Sequence, residues 1–200
     1  PGAGKSWSLT RLSEKLEEQG ICVAKHYCYL EPGDEELERR ISTESLFANL
    51  LYELTSKNTK LRDNLTSRYS STFESLDEAI KVASEQEELV VLIVDGLDHI
   101  SRVLSEAGQL SFSDTDIIGQ ICSLSLPDNV VLILGSQPGE HIKIITESLG
   151  ERVYLNSVPS WNRFEIEDLM HSLNIPYYCD SASSISFKKV TDAVLIRSDG

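Results

Sequence analysis

LVVLIVD, residues 89–95, is the stretch on which the fold turns. Six consecutive apolar residues, mostly β-branched, end in a carboxylate. That pattern suits a strand buried on both faces of a parallel sheet. Asp95 then emerges at the C-terminal edge of the strand, where open α/β sheets bind their ligands. NVVLILGS (129–136) repeats the pattern and is stopped by Pro138-Gly139. ICVAKHYCYL (21–30) is also β-rich and runs into a Pro32-Gly33 turn. Helical periodicity lies around and between these strands. Leu9, Leu12 and Leu16 mark a helix over 5–19 with Gly20 just past its end. Leu46, Leu50, Leu51 and Leu54 mark one over 42–54. Further helices are predicted over 59–69, 75–86 (with Ser75 and Glu78 as a capping box), 115–124 and 140–148. Strands alternating with helices predict a three-layer α/β domain with a parallel sheet.

The N-terminal residues supply the chemistry. PGAGKS (1–6) matches the last six positions of GxxxxGKS, whose first Gly would fall just before Pro1. In that motif Pro1, Gly2, Ala3 and Gly4 form a loop whose backbone N–H groups turn inward on phosphate oxygens. Lys5 reaches the β and γ phosphates, and the Ser6 hydroxyl ligates Mg²⁺. The helix that begins here adds its positive dipole end. A nucleotide site of this kind needs an acid opposite the loop to hold the metal's water shell, and Asp95 is placed for that. Loop and acidic strand together predict a P-loop nucleotide fold, with ATP or ADP and Mg²⁺ as ligands. Its first strand would precede Pro1, so the chain is expected to be a segment of a longer protein.

Three further residues belong to the same sheet edge. Asp98, in DGLDHI, has two readings: a turn at Gly96 brings it toward the γ-phosphate to orient water, or it caps a helix starting near His99. Ser136 and Gln137 follow the strand at 129–136 and are candidates to sense the γ-phosphate or hold the attacking water. No Glu follows Asp95, so slow hydrolysis is expected. The carboxylates Glu31, Asp34, Glu35 and Glu36 read as a solvated loop, and His26 and His99 as structural.

After Pro159 the strand pattern ends. A short strand over 152–155 is followed by helices over 161–174 and about 185–197, the first with Trp161 and Phe164 in its core face. The predicted organisation is a nucleotide-binding core over 1–158 and part of a small helical domain over 159–200.

Composition narrows the classes. The 200 residues are 40% hydrophobic and 25% charged, as in ordinary globular chains. No apolar run approaches the ~20 residues of a membrane helix. A net charge of −14 argues against non-specific nucleic-acid binding, which needs clustered Lys and Arg. Cys22, Cys28, Cys122 and Cys179 form no CxxC pair and read as reduced thiols of a cytoplasmic protein.

PGAGKS, VVLIVDGLDHI and VVLILGSQPG, in that order, resemble the STAND class of P-loop NTPases, which includes NACHT and AP-ATPase modules. HYCYLEPGD followed by RRISTESLFANLLYEL is similar to the second strand and next helix of bacterial STAND proteins, including those of antiviral defence. The closing SDG resembles the start of the GxP motif of that class. Two departures stand out: His99 follows Asp98 where an acidic cluster is usual, and Gln137 stands where Arg is usual. The resemblance implies an ATP-gated signalling switch that hydrolyses slowly and forms a homo-oligomer on activation, with effector and sensor domains in the same longer chain. The alternatives are a nucleotide-binding scaffold without turnover, an AAA+-type ATPase acting on nucleic acid, and a small-molecule kinase.

Overall fold

In the computed structural model, residues 4–28, 42–57, 72–100, 113–157, 162–172 and 192 are described. Their elements run α1 (Lys5–Glu18), β1 (Cys22–Tyr27), α2 (Thr43–Lys57), α3 (Phe73–Gln86), β2 (Val90–Asp95), α4 (Ser113–Ser123), β3 (Val130–Gly135), α5 (Glu140–Leu149) and α6 (Arg163–Ser172). A single 3₁₀ turn, Gly150–Arg152, follows α5, and residues 97–100 are helical. The chain divides into two compact units. One is Ser6–Tyr154; the other joins Pro1–Lys5 with Leu155–Gly200.

Within the first unit the strands form a parallel sheet in the order β1-β2-β3. The fold is α/β, as the alternating pattern predicts. All six residues of β2 are buried, because it is the middle strand and both faces are covered. Period-two alternation divides the strand residues between two clusters. Ala24, Leu92 and Val94 join the larger one, built from Leu46, Leu50 and Leu54 of α2, Leu76 and Ile80 of α3, and Ile117 and Ile121 of α4. Val23, Val91 and Ile93 form the smaller one against Leu9 and Leu16 of α1.

β3 differs from the expectation of a second fully buried strand. Val131 is 44% exposed, since β3 pairs with β2 on one side and with no other strand among the described residues.

Helix ends follow local chemistry. Gly20, at φ 79°, closes α1 with a Schellman pair: its N–H donates to Glu17 O and that of Ile21 to Leu16 O, both at 3.0 Å. The inward stripe of α1 is Leu9, Ser13 and Leu16, not the expected Leu9, Leu12, Leu16. Leu12 is exposed, while Ser13 is fully buried and donates to Thr10 O. The α3 cap is Thr72, whose Oγ1 accepts from the Ser75 N–H, so the helix starts before the predicted Ser75–Glu78 box. At the N-terminal edge of the sheet, Lys57 Nζ meets Glu17 Oε1 (2.7 Å), Glu53 Oε2 (2.9 Å) and the Val23 carbonyl (2.7 Å), tying α2 to α1 and β1.

Two expectations near the end of the chain are corrected. Residues 153–157 are not a strand: α5 runs into the 3₁₀ turn, and Tyr154 and Leu155 stand exposed with no neighbouring strand among the described residues. Phe164 is 77% exposed rather than core, and Ile166 takes the buried position of α6. The predicted helix over 59–69, most of that over 185–197, Trp161, Cys179 and the carboxylates at 31–36 lie outside the described residues. Cys22, Cys28 and Cys122 are free thiols. Among the described residues no helix is long and apolar enough to cross a membrane.

Candidate nucleotide-binding site

The C-terminal edge of the sheet gathers the predicted polar residues of the first unit. In register, the last residues of the strands are Tyr27, Asp95 and Gly135. Main-chain bonds continue one step past them: the Cys28 N–H donates to Asp95 O and the Gly96 N–H to Gly135 O, each at 2.8 Å. The rim is therefore held by backbone, independent of which side chains it carries. Gly96 has φ 86°, and a Cβ there would meet the His99 ring at 3.2 Å, so the turn after β2 favours glycine on both counts.

Asp95 is only 5% exposed, and its carboxylate makes no hydrogen bond or ion pair with a described residue. A buried carboxylate without a cation is costly. Its register partner in β3 is Gly135, where a Cβ would overlap Asp95 Oδ1 and come within 2.7 Å of Leu9 Cδ1. Gly135 thus makes room for the acid. Asp95 and Asp98 also act on Cys28, whose thiol is pushed up to about 12, first by burial and then by these two carboxylates.

Asp98 lies in the first helical turn after β2, beyond the cap position, and its Oδ1 accepts the Gln137 N–H at 3.1 Å. It links the turn after β2 to the turn after β3. Ser136 Oγ donates to the Gln137 carbonyl (3.0 Å) and lies 2.5 Å from Nε2 of His141, a residue 5% exposed in the first turn of α5. Burial holds His141 below its usual value, while Asp98 and the Gln137 backbone pull the other way. His26, read as structural, is buried and bonded to Asn49 Nδ2 at 3.1 Å.

At the front of α1, Gly4 has φ 77° and Lys5 begins the helix. Ser6 is exposed, and its carbonyl accepts from Thr10 Oγ1 at 2.9 Å. Leu9 reaches the space beside Gly135, and Thr10 Oγ1 lies 3.2 Å from the Tyr27 hydroxyl. The first turns of α1 from Ser6 onward therefore sit at the edge that carries Asp95. Pro1, Gly2 and Ala3 lie outside the described residues. Arg163 is paired with Glu167 and Asp192.

Residues 1–128 match the family described as nephrocystin 3, N-terminal. The chain belongs to that family. The match covers Asp95 and Asp98 as well as the PGAGKS segment, and stops short of Ser136 and Gln137. No curated protein sequence matches this member of the nephrocystin 3 N-terminal family. Among solved structures it is similar to the Orc1 protein of Aeropyrum pernix in complex with DNA, at 14% identity and a TM-score of 0.47, over 100% of this chain and 52% of that one. The chain thus spans about half the length of that structure.

The sequence singles out Asp95, Asp98, Ser136 and Gln137, which the fold gathers at one sheet edge, but not the roles of Gly135 and His141 beside them. A signal for Gly135 was present, since glycine is out of place in a β-branched strand unless something packs where its Cβ would be. His141 has no comparable signal.

Proposed function

We propose that this chain is a P-loop module that binds ATP or ADP with Mg²⁺ and serves as a slowly hydrolysing switch of STAND type. The observation that carries the reading is Asp95, a buried carboxylate without a described partner at the C-terminal end of the central strand. A Mg²⁺ held mainly by phosphates and water needs one such acid and no multi-residue cage. In this reading Gly2 and Gly4 shape the phosphate loop, Lys5 neutralises phosphate charge, Ser6 and Asp95 serve the metal, and Ser136 and Gln137 face the terminal phosphate. The bound triphosphate supplies the hydrolysable phosphoanhydride. The resemblance at PGAGKS, VVLIVDGLDHI and VVLILGSQPG supports the switch, with a nucleotide core over 1–158, a helical part over 159–200, and effector and sensor in the same longer, cytoplasmic chain. Oligomerisation would follow ATP and activator together.

The scaffold without turnover is the second reading. Asp98 favours it, because one of its oxygens is committed to the Gln137 N–H.

Calorimetry on the full-length protein tests the assignment. Lys5→Ala is expected to remove most nucleotide affinity, since Lys5 is the motif's mobile cation. Asp95→Asn is expected to weaken binding with Mg²⁺ present and to matter little in EDTA. Unchanged Mg·ATP affinity in Lys5→Ala refutes the nucleotide-site reading, and phosphate release in the presence of activator separates switch from scaffold.

A further inference from the structure

The pair Ser136–His141 is not needed for any role discussed so far, yet it is tightly made. Gly139, just before α5, has no side chain, and a Cβ there would come within 2.7 Å of His141 Cε1 and 2.9 Å of Nδ1. The imidazole is therefore folded back over the turn after β3 instead of pointing away from it. One direction for its hydrogen bond goes with the contact that Ser136 makes to Gln137. A serine hydroxyl has one proton, and Ser136 gives it to the Gln137 carbonyl, which can only accept. With the hydroxyl proton on that carbonyl, the same oxygen accepts toward His141, which is the tautomer carrying its proton on Nε2. The chain then runs from His141 Nε2–H to Ser136 Oγ–H to Gln137 O, and separately from Gln137 N–H to Asp98 Oδ1.

From this arrangement we infer that His141 is a positioning residue for the Ser136 hydroxyl. It rests on the proposal that Ser136 faces a terminal phosphate. Once Nε2–H occupies a lone pair of Ser136 Oγ, the hydroxyl's remaining freedom is where its single proton goes. It can stay on the Gln137 carbonyl or turn to an incoming phosphate oxygen, and donation by His141 strengthens it as a donor in either case. A terminal phosphate would draw that proton from Gln137, so the turn after β3 would register the difference between triphosphate and diphosphate. His141 touches no phosphate itself in this role.

The test measures binding of Mg·ADP and of Mg²⁺ with a non-hydrolysable ATP analogue to the full-length protein. His141→Phe keeps the ring volume and removes the donor. It is expected to lower affinity for the triphosphate roughly fivefold to tenfold, the scale of one hydrogen bond, and to leave ADP affinity within about twofold. His141→Gln, whose amide N–H can take the place of Nε2–H, is expected to regain most of that loss. In a Ser136→Ala background, His141→Phe is expected to cost nothing further. Equal loss of both nucleotides, additive losses in the double variant, or a His141→Gln protein as poor as His141→Phe would overturn the inference. Should His141→Phe not fold, His141→Leu, which also lacks a donor, carries the same comparison. Failure of the wild-type protein to bind ADP at all strikes the nucleotide site; ADP binding with an unchanged triphosphate preference in the variants strikes His141 alone.

Discussion

Gly135 stands opposite Asp95 in the β2–β3 register, and a single methyl group at position 135 would overlap the Asp95 carboxylate. The acid owes its position to the absence of a side chain on the neighbouring strand. Gly135→Ala must displace Asp95, Leu9 or the strand itself, an overpacking of about 1–3 kcal/mol. The expected result is a melting temperature lower by several degrees and a roughly tenfold weaker Mg·ADP affinity, read by scanning and titration calorimetry. Unchanged values in both would show that the space beside Asp95 is not limiting.

Asp98 carries a prediction that separates its two readings. Asp98→Ala leaves the Gln137 N–H without its acceptor and is expected to cost about 1–2 kcal/mol. Asp98→Asn keeps an acceptor oxygen, so its melting temperature should stay near that of the wild type. If Asp98 also orients water, phosphate release in the Asn variant falls roughly 10²-fold. Full turnover in a protein of lowered stability would make Asp98 a tie between two loops and nothing more.

The Cys28 thiol gives a pH dependence of definite sign. Its value rises from 9.0 to about 12 on folding, so the native state favours the neutral thiol. The corresponding stability is fully present below pH 9 and is lost as the pH rises from 9 through 12. Relative to Cys28→Ala, the wild type should lose about 1 kcal/mol between pH 8 and pH 10 in denaturant titrations. A difference that does not change with pH would contradict the buried, neutral thiol. Alkylation at pH 8 should likewise spare Cys28 until the protein unfolds.

Thr72→Ala removes the side-chain acceptor at the start of α3. The expected loss is about 1 kcal/mol, measured by urea unfolding, with no change in nucleotide affinity.

How far such features could be read in advance depended on whether one residue type had one place to go. LVVLIVD is unambiguous: an all-apolar, β-branched run fits only the centre of a sheet, and the carboxylate after it falls at the strand's end. The inward Ser13 of α1 was not legible, because apolar spacing favours Leu12 and only the packing of helix on sheet selects the small residue. Phe164 misled for the opposite reason, since side-chain size suggested burial that the neighbouring Ile166 takes instead. Tyr154 and Leu155 have strand propensity but no strand beside them among the described residues, and propensity yields to pairing. The places of Asp95, Asp98, Ser136 and Gln137 at the sheet edge were legible, because each sits beside a strand end. His141 was not, since its role depends on a ring folding back over a turn that contains Gly139.

The two faces of the sheet are not covered alike. Four helices, α2 to α5, supply the cluster that holds Ala24, Leu92 and Val94, while among the described residues Val23, Val91 and Ile93 rest chiefly on Leu9 and Leu16 of α1. In hydrogen-exchange terms, a helix anchored by few apolar side chains opens at a smaller free energy than the body it covers. The amides of α1 should therefore exchange ahead of those in β2, α2 and α3. Because α1 begins at Lys5 and Ser6, a phosphate ligand held there would slow its exchange by mass action and leave the central strand's rate set by global unfolding. The helix closest to the ligand would then be the one whose folding the ligand completes.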